Sequence, residues 1–356
     1  MKPNLILKLL FIMFSFIACK NEKHEDKIQR QLISYFEEQD FRGIVQAYID
    51  DSLFFEKALG YVDYESKRTI NLNSRFHICS VTKTFTAVAI MMLKEQEELE
   101  YSDSLALFFK SFPNYLKGIT IHQLLSHTSG IPDYLNHYPS ETDTLYNYDV
   151  IETLMQKDSL LFKSGSKYRY SNAGYVILAL IIEEITNTRY EDFIKDNIFS
   201  KLNMNNTSFL GNNNFLDTNY LYGENEDGLN WDIPIYTRGD IGIISTVNDL
   251  HKWSKALRDN LILSEEETKN AFTNKVESKS EIHGRGYGFV INEPRKGYKF
   301  VGHNGSLGGV EVKFLMQLSP NKFLIIVSND NDGKYLNQML IDITMILNDI
   351  EISKPE

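Results

Sequence analysis

The sequence predicts an α/β protein of the α+β kind, with an antiparallel sheet flanked by N- and C-terminal helices and a mostly helical inserted domain. Three observations carry this prediction. Apolar runs of strand length lie near both ends of the 356-residue chain, amphipathic helical patterns lie outside them, and the middle holds long apolar runs of helical length. Because strands from both ends must share one sheet, the helical middle is expected to be an insertion.

The predicted sheet and its flanking helices follow from these runs. The predicted strands are Gly43–Asp50, Leu53–Leu59, Arg75–Ile78, Tyr287–Ile291, Lys299–Gly302, Val310–Gln317 and Phe323–Ser328. Apolar residues recur at helical spacing at Ile28, Leu32, Ile33 and Phe36, and again at Leu336, Leu340, Ile343, Leu347 and Ile350. We expect residues 28–79 and 280–352 to form the sheet domain and residues 80–279 the helical domain, together one unit of about residues 40–350.

Residues 1–18 are predicted to be a signal peptide rather than part of the fold. Lys2 and Lys8 flank its start, and the apolar run Leu9–Ile17 is too short for a permanent membrane span. The run ends at Ala18-Cys19, which resembles a bacterial lipoprotein signal in which Cys19 is lipidated. The expected location is therefore the cell envelope, periplasmic or surface-exposed, with a tether of residues 19–27; a plain secretory signal is the alternative.

The net charge argues against nucleic-acid binding, and the cysteine content argues against a disulfide. The formal net charge is −11, and no basic block offers the patch that nucleic-acid binding requires. Only Cys19 and Cys79 are present, so a lipidated Cys19 leaves Cys79 without a disulfide partner. We expect Cys79 to be a buried packing residue.

The stretch Phe76–Leu93 contains the first candidate for chemistry. Ser80 and Lys83 stand three residues apart where a strand-like segment becomes an apolar helix, so their side chains share one face, about 5–6 Å apart at Cβ. A serine hydroxyl becomes a useful nucleophile when a neighbouring base takes its proton. The pattern alone is weak, because Ser164/Lys167 and Ser319/Lys322 repeat it in turn-like sequence.

Two further elements follow in order along the chain. Tyr170-Ser171-Asn172 precedes the apolar helix Tyr175–Ile185, and His303-Asn304-Gly305 lies on or beside a late strand, followed by Ser306. Glycine in a strand allows close approach of another backbone or a ligand. Each element alone has an ordinary structural explanation, including a hydrogen-bonded histidine at a sheet edge.

Taken together, the three elements resemble those of the serine β-lactamase and penicillin-binding protein superfamily, on the class C β-lactamase and DD-peptidase side. That family carries Ser-x-x-Lys, Tyr-x-Asn and Lys-Thr-Gly or His-x-Gly in this order. The surrounding sequence is similar as well, in LLSHTSGIPDY (Leu124–Tyr134), YRYSNAGYVILALIIEEIT (Tyr168–Thr186), LNMNNTSF (Leu202–Phe209), GIISTVNDLHKWSKAL (Gly242–Leu257) and YGFV (Tyr287–Val290). Lys163-Ser164-Gly165 spells a variant of the third motif, but it lies in a loop before Tyr170.

The resemblance implies a serine hydrolase that works through an acyl-enzyme without a metal or organic cofactor. Ser80 would be the nucleophile, and Lys83 and Tyr170 would share the proton transfers, with the identity of the base left open. Asn172 would position Lys83 and the substrate, and Gly305 and His303 would line the site. The backbone N–H groups of Ser80 and Ser306 would form the oxyanion hole.

The histidine in the third motif bears on substrate choice. Lysine carries a fixed charge, whereas histidine with an ordinary pKa near 6.5 is mostly neutral at pH 7. A substrate carboxylate would then be held less strongly, so the expectation is a peptidase or esterase acting on a small molecule or peptide, with weak or no β-lactamase activity. The alternative is a non-catalytic, penicillin-binding-like scaffold or binding protein. Oligomeric state is left open.

Overall fold

The computed structural model describes residues 25–63, 67–137, 144–211, 219–224, 230–231, 234–276, 283–294, 296–330 and 333–350. The predicted signal peptide and Cys19 lie outside these ranges. Among the described helices, none combines the length and apolarity that a membrane span requires. The chain divides into two compact units, residues 1–41 with 334–356, and residues 42–333. The domain division predicted from the sequence, at residues 79 and 280, does not coincide with the bounds of these two units and stays a prediction.

The first unit contains the two terminal helices, α1 (25–37) and α11 (Gly333–Leu347). The Tyr35 hydroxyl donates a hydrogen bond to Asp342 Oδ2 at 3.0 Å, and Lys27 forms an ion pair with Asp349 at 2.8 Å. Both helices were predicted. Of the residues that predicted α1, Leu32 is buried as expected, whereas Ile33 is 44% exposed.

The second unit is built on an antiparallel sheet in the order β2-β1-β12-β11-β10-β9-β8. Strands from both ends of the chain meet in it, as the sequence predicts. The strand bounds are β1 Gly43–Ile49, β2 Ser52–Leu59, β8 His283–Arg285, β9 Val290–Asn292, β10 Phe300–Leu307, β11 Val310–Gln317 and β12 Lys322–Ser328. The β1–β12 pair, which joins strands from the two ends of the chain, places Gly43 opposite Ser328 and Ile49 opposite Lys322.

The first hairpin has the turn that its sequence favours. Asp50 and Asp51 connect β1 to β2 with φ of 46° and 64°. Both residues therefore occupy the left-handed region, which Asp tolerates better than most side chains and which two-residue hairpin turns require.

Two strands near the site differ from prediction. The predicted strand Tyr287–Ile291 starts only at Val290, because the Gly286 N–H donates to the Phe289 carbonyl at 2.8 Å and closes a turn. At Gly288, φ is +78°, and an added Cβ would lie 2.6 Å from the Ala87 Cβ. Only glycine suits this approach to the helix that carries Lys83. β10 is longer than predicted, so His303 and Gly305 lie within it.

The inserted segment is mainly helical, with two small sheets of order β3-β7-β4 and β5-β6. The short strands are β3 Phe76–His77, β4 Ser208–Phe209, β5 Gly223–Glu224, β6 Asn230–Trp231 and β7 Ile243–Ser245. The helices are α2 Thr82–Glu95, α3 Leu105–Phe108, α4 Asn114–Lys117, α5 Ile121–Leu125, α6 Asn147–Met155, α7 Asn172–Thr186, α8 Tyr190–Ile194, α9 Val247–Arg258 and α10 Glu265–Ala271.

Helix α2 is the centre of this packing. Its residues from Thr82 to Leu93 are all buried, which explains why the stretch has almost no polar surface. Phe85 stacks on Trp253 of α9 with ring centroids 4.1 Å apart. Thr246 caps α9, since its side chain accepts a hydrogen bond from the Asp249 N–H.

Candidate active site

Ser80 lies on a short 3-10 helix, Cys79–Val81, that leads directly into α2. Cys79 has φ of 51°, in the left-handed region that non-glycine residues rarely adopt. Lys83 is fully buried and hydrogen-bonds three oxygens, Ser80 Oγ at 3.2 Å, Asn172 Oδ1 at 2.7 Å and the Asp240 carbonyl at 2.8 Å. All three ammonium protons are thereby used, which fixes the Lys83 side chain beside the Ser80 hydroxyl.

The second motif reaches the same place from the start of α7. Ser171 caps this helix, so Asn172 is its first residue and Tyr170 immediately precedes it. The Tyr170 ring centroid lies 5.0 Å from Lys83 Nζ. Tyr170 also stacks on His127, with ring centroids 4.4 Å apart, which holds the phenol ring in place.

His127 is part of the support for this motif. Its Nδ1 accepts a hydrogen bond from the Ser171 N–H at 3.2 Å, which assigns the ring proton to Nε2. Burial, and then the charge of Lys83, hold the pKa of His127 well below its ordinary value. His127 therefore packs against Tyr170 as a neutral imidazole.

The third motif brings β10 against the nucleophile. An added Cβ on Gly305 would lie 2.5 Å from the Ile78 carbonyl and 2.9 Å from the Cys79 Cβ, so only glycine fits this contact. β9 pairs with β10 at Phe300, Val301 and Gly302. Among the described residues, β10 continues beyond its pairing with β9, through His303 to Ser306. Ser306 directly follows Gly305, the residue that contacts the Ser80 turn.

His303 is buried and faces the same side of the strand as Gly305. Its Nδ1 donates to the Asn304 carbonyl at 2.5 Å, and its ring lies 6.2 Å from Tyr170. Burial, then the charge of Lys83, lower the pKa of His303 to about 3, and Arg285 adds to this effect. The imidazole is therefore neutral at physiological pH.

Four residues that the sequence did not single out also belong to this region. Asn172 Nδ2 donates to Asp133 Oδ2 at 2.9 Å, and the Tyr134 hydroxyl donates to Asp240 Oδ2 at 2.6 Å. Arg285 Nε donates to the Tyr168 hydroxyl at 3.1 Å, and the Arg285 charge contributes to lowering the pKa of both His303 and His127.

The sequence motifs do not include these four residues. Asp133 and Tyr134 lie in LLSHTSGIPDY, a segment that resembles the family but belongs to none of its three motifs. Asp240 and Arg285 belong to none of the motifs, and a lone charged residue in a loop or short strand carries no spacing pattern.

The competing matches lie elsewhere. Ser164 Oγ donates to Gln123 Oε1 at 2.6 Å, and the Gly165 N–H donates to the Thr128 carbonyl, so Lys163-Ser164-Gly165 is a turn beside α5. Ser319 lies in the turn between β11 and β12. In the described ranges, no group of three or more His, Cys, Asp or Glu side chains could hold a metal ion.

Cys79 was expected to be a packing residue, and it is a buried free thiol. Burial raises its pKa far above the ordinary value for cysteine, so it carries no thiolate near neutral pH. Its Sγ contacts the carbonyls of His77 and Val310.

An antiparallel sheet whose strand β10 packs against the helix start that carries Ser80 and Lys83 gives the chain a β-lactamase/transpeptidase-like fold. The chain belongs to the Beta-lactamase family, whose model matches residues 26–342.

Individual relatives and structures agree with this assignment. The chain is 30% identical to Penicillin-binding protein 4* of Bacillus subtilis over 326 residues. The matched region covers 86% of this chain and 72% of that protein. It is 25% identical over 299 residues to Protein flp of Staphylococcus aureus, covering 78% of this chain and 57% of that protein. The fold is similar to that of D-amino acid amidase from Ochrobactrum anthropi SV3 complexed with D-phenylalanine, with a TM-score of 0.75, 20% identity and coverage of 92% and 99%.

Proposed function

We propose that the protein is a serine hydrolase that cleaves an amide or ester through an acyl-enzyme on Ser80. The observation that carries the proposal is the Lys83 ammonium, which joins Ser80, Asn172 and the Asp240 carbonyl while lying beside the Tyr170 ring. A hydroxyl in contact with a group that can relay its proton is the arrangement that nucleophilic catalysis requires. Membership of the Beta-lactamase family supports the same reading.

The proposed acylation step begins with attack of Ser80 Oγ on the substrate carbonyl. As the new O–C bond forms, the hydroxyl proton passes to the Tyr170–Lys83 pair, and the carbonyl oxygen becomes an oxyanion. The N–H groups of Ser80 and Ser306 would stabilise that charge, and removal of one such donor typically costs about 2.7–4 kcal/mol of transition-state stabilisation. The stored proton then passes to the leaving nitrogen or oxygen as its bond to carbon breaks.

Deacylation would use the same groups with water in place of the leaving group. The Tyr170–Lys83 pair would take a proton from water, hydroxide would attack the ester on Ser80, and the proton would return to Ser80 Oγ. Asn172 would contribute by orienting Lys83, since its amide is held from behind by Asp133.

The proposed substrate class follows from the charges around the site. His303 is neutral and gives a substrate carboxylate no fixed cation. Arg285 is partly exposed, and its charge reaches both His303 and His127. We assign recognition of a substrate carboxylate to this guanidinium. The named activity of the amidase with a similar fold supports D-amino-acid derivatives as first candidates.

A substrate screen tests this proposal. D-Ala-D-Ala peptides, D-amino-acid amides, short acyl esters and nitrocefin are compared at matched concentration, with Ser80→Ala as the blank. The expected result is Ser80-dependent turnover of at least one amide or ester and slow turnover of nitrocefin. Efficient nitrocefin hydrolysis would refute the assignment of weak β-lactamase activity. A correctly folded protein that turns over none of them would favour a binding or scaffolding role.

A further inference from the structure

One cavity of the second unit is lined by none of the candidate catalytic residues. It lies between the start of α6, the second half of α7 and the segment that precedes β7, and its volume is about 600 Å³. That volume is within the range of small-ligand sites. We call it the tyrosine groove, after Tyr146, Tyr148 and Tyr236 in its wall.

The three tyrosine rings form a continuous aromatic surface. The Tyr146 ring stacks on Tyr148 with centroids 5.7 Å apart and planes 15° apart, and on Tyr236 with centroids 5.7 Å apart and planes 22° apart. Tyr146 is 43% exposed and Tyr148 is 65% exposed. Neighbouring exposed aromatic rings of this kind are typical of binding surfaces rather than of ordinary protein exterior.

The backbone that carries these rings is held by hydrogen bonds between two segments. The Tyr236 N–H donates to the Leu145 carbonyl at 2.7 Å. The Arg238 N–H donates to Asn147 Oδ1 at 2.6 Å. The start of α6 is therefore tied to the segment before β7, and the aromatic surface is formed before a ligand arrives, which lowers the entropic cost of binding.

The charged side chains of the tyrosine groove neutralise one another. Two arginines, Arg189 and Arg238, and two glutamates, Glu183 and Glu191, line it. Arg238 Nε lies 2.5 Å from Glu191 Oε1, and Arg189 Nη2 lies 3.5 Å from Glu191 Oε2. A charged ligand would meet balanced charges here, and a wholly apolar ligand would remove water from ion pairs at a cost in free energy.

Two half-buried side chains of the groove keep a hydrogen-bonding group for a ligand. Asn147 Oδ1 accepts the Arg238 N–H, whereas Asn147 Nδ2 has no partner among the described residues. Glu183 Oε1 accepts the Tyr190 N–H at 2.8 Å, and Glu183 Oε2 has no partner among those residues either. A donor and an acceptor beside exposed aromatic rings match a neutral molecule with hydroxyl groups on its edge and C–H groups on its face.

We propose that the tyrosine groove binds a neutral saccharide, with the C–H face of a pyranose ring on the tyrosines and its hydroxyl groups on Asn147 and Glu183. A quaternary ammonium ion would need rings that face a common space, whereas these rings stack on one another. Binding in this groove requires no chemistry at Ser80, so it goes beyond the proposed hydrolase function.

Isothermal titration calorimetry with cellotetraose, maltotetraose and N-acetylated chitotetraose tests this binding. We expect at least one of them to bind the wild-type protein with a dissociation constant below about 1 mM. Tyr148→Ala removes the most exposed ring and should weaken binding by about tenfold or more. Tyr148→Phe keeps the ring and should bind within about threefold of wild type. Tyr61→Ala is the matched control, since Tyr61 is 41% exposed and lies outside the groove.

Ser80→Ala separates this site from the catalytic one, because it should bind the same saccharide as tightly as the wild-type protein does. No binding of any of the three saccharides up to about 5 mM would overturn the proposal. Equal losses in Tyr148→Ala and Tyr61→Ala would overturn it as well, and so would a Tyr148→Ala variant that changes the oligomeric state but not saccharide binding. A protein that binds the saccharide but never acylates would contradict the proposed function and leave the groove assignment in place.

Discussion

The position of the key side chains in this site is fixed by their hydrogen bonds. Lys83 donates to Ser80, Asn172 and the Asp240 carbonyl, so one residue connects the 3-10 turn, α7 and the segment before β7. Ser-x-x-Lys and Tyr-x-Asn could be found in the sequence because, with the third motif, they resemble a family that carries all three in order, and local spacing fixes their geometry on helix starts. Asp240 and Arg285 could not, because their contact with the site depends on long-range packing.

Arg285 carries the prediction about substrate charge. For Arg285→Ala we expect kcat/KM for D-Ala-D-Ala peptides, which end in a carboxylate, to fall by about tenfold or more, as loss of a charged hydrogen bond commonly costs about 1.5–3 kcal/mol. For D-amino-acid amides, which lack that carboxylate, the fall should be below about threefold. Steady-state kinetics on both substrates measures the difference, with Arg285→Lys as the charge-preserving control. Equal losses on both substrates would contradict this role.

The buried histidines predict an acid-sensitive fold. Burial lowers the pKa of His77 to about 4 and that of His303 to about 3. Because both values lie below the ordinary 6.5, the unfolded chain binds protons first. The stability is complete above about pH 6.5 and decreases as pH falls toward these values, by at most about 1.36 kcal/mol per pH unit for each histidine.

Denaturant unfolding between pH 7.5 and pH 5 measures this effect, before most carboxylates are protonated. His303→Asn removes one of the protonation sites, so its free energy of unfolding should fall less steeply than that of wild type. A variant with an unchanged slope would show that His303 is not neutral and buried as described.

At the scale of elements, the site depends on the contact between β10 and the turn that carries Ser80. Sequence patterns placed the strands near both chain ends and the two apolar helices, because strand alternation and helical period are local properties. They missed β8 and misplaced the start of β9, since the turn at Gly286–Phe289 forms to let the chain approach α2. The extent of β10 was also missed, because its polar residues His303 and Asn304 interrupt the apolar run.

The contact at Gly305 can be tested by adding one methyl group. Gly305→Ala would place Cβ 2.5 Å from the Ile78 carbonyl and push β10 away from the nucleophile. We expect a loss of acylation rate of about 100-fold or more, since small displacements of reacting groups cost about this much. Gly118→Ala is the control, because nothing lies within 4 Å of its added Cβ and its φ is −82°. Similar activity in both variants would contradict the proposed close contact.

At the scale of the whole molecule, the family assignment spans residues 26–342 and leaves the first residues outside it. We propose that Cys19 carries a lipid anchor. In bacterial cells that process lipoproteins, Cys19→Ala should move the protein from the membrane fraction to the soluble envelope fraction, while activity per molecule stays the same. Fractionation followed by immunoblotting measures this. Wild-type protein that is already in the soluble envelope fraction would contradict the lipid anchor and favour the plain secretory signal.

The central claim is that three distant parts of the chain make Ser80 a nucleophile, and intact-protein mass spectrometry after fluorophosphonate treatment tests it most directly. The account predicts one adduct per chain, located on Ser80 by peptide mapping and absent from Ser80→Ala. A wild-type mass that does not change, or an adduct that persists in Ser80→Ala, would contradict it.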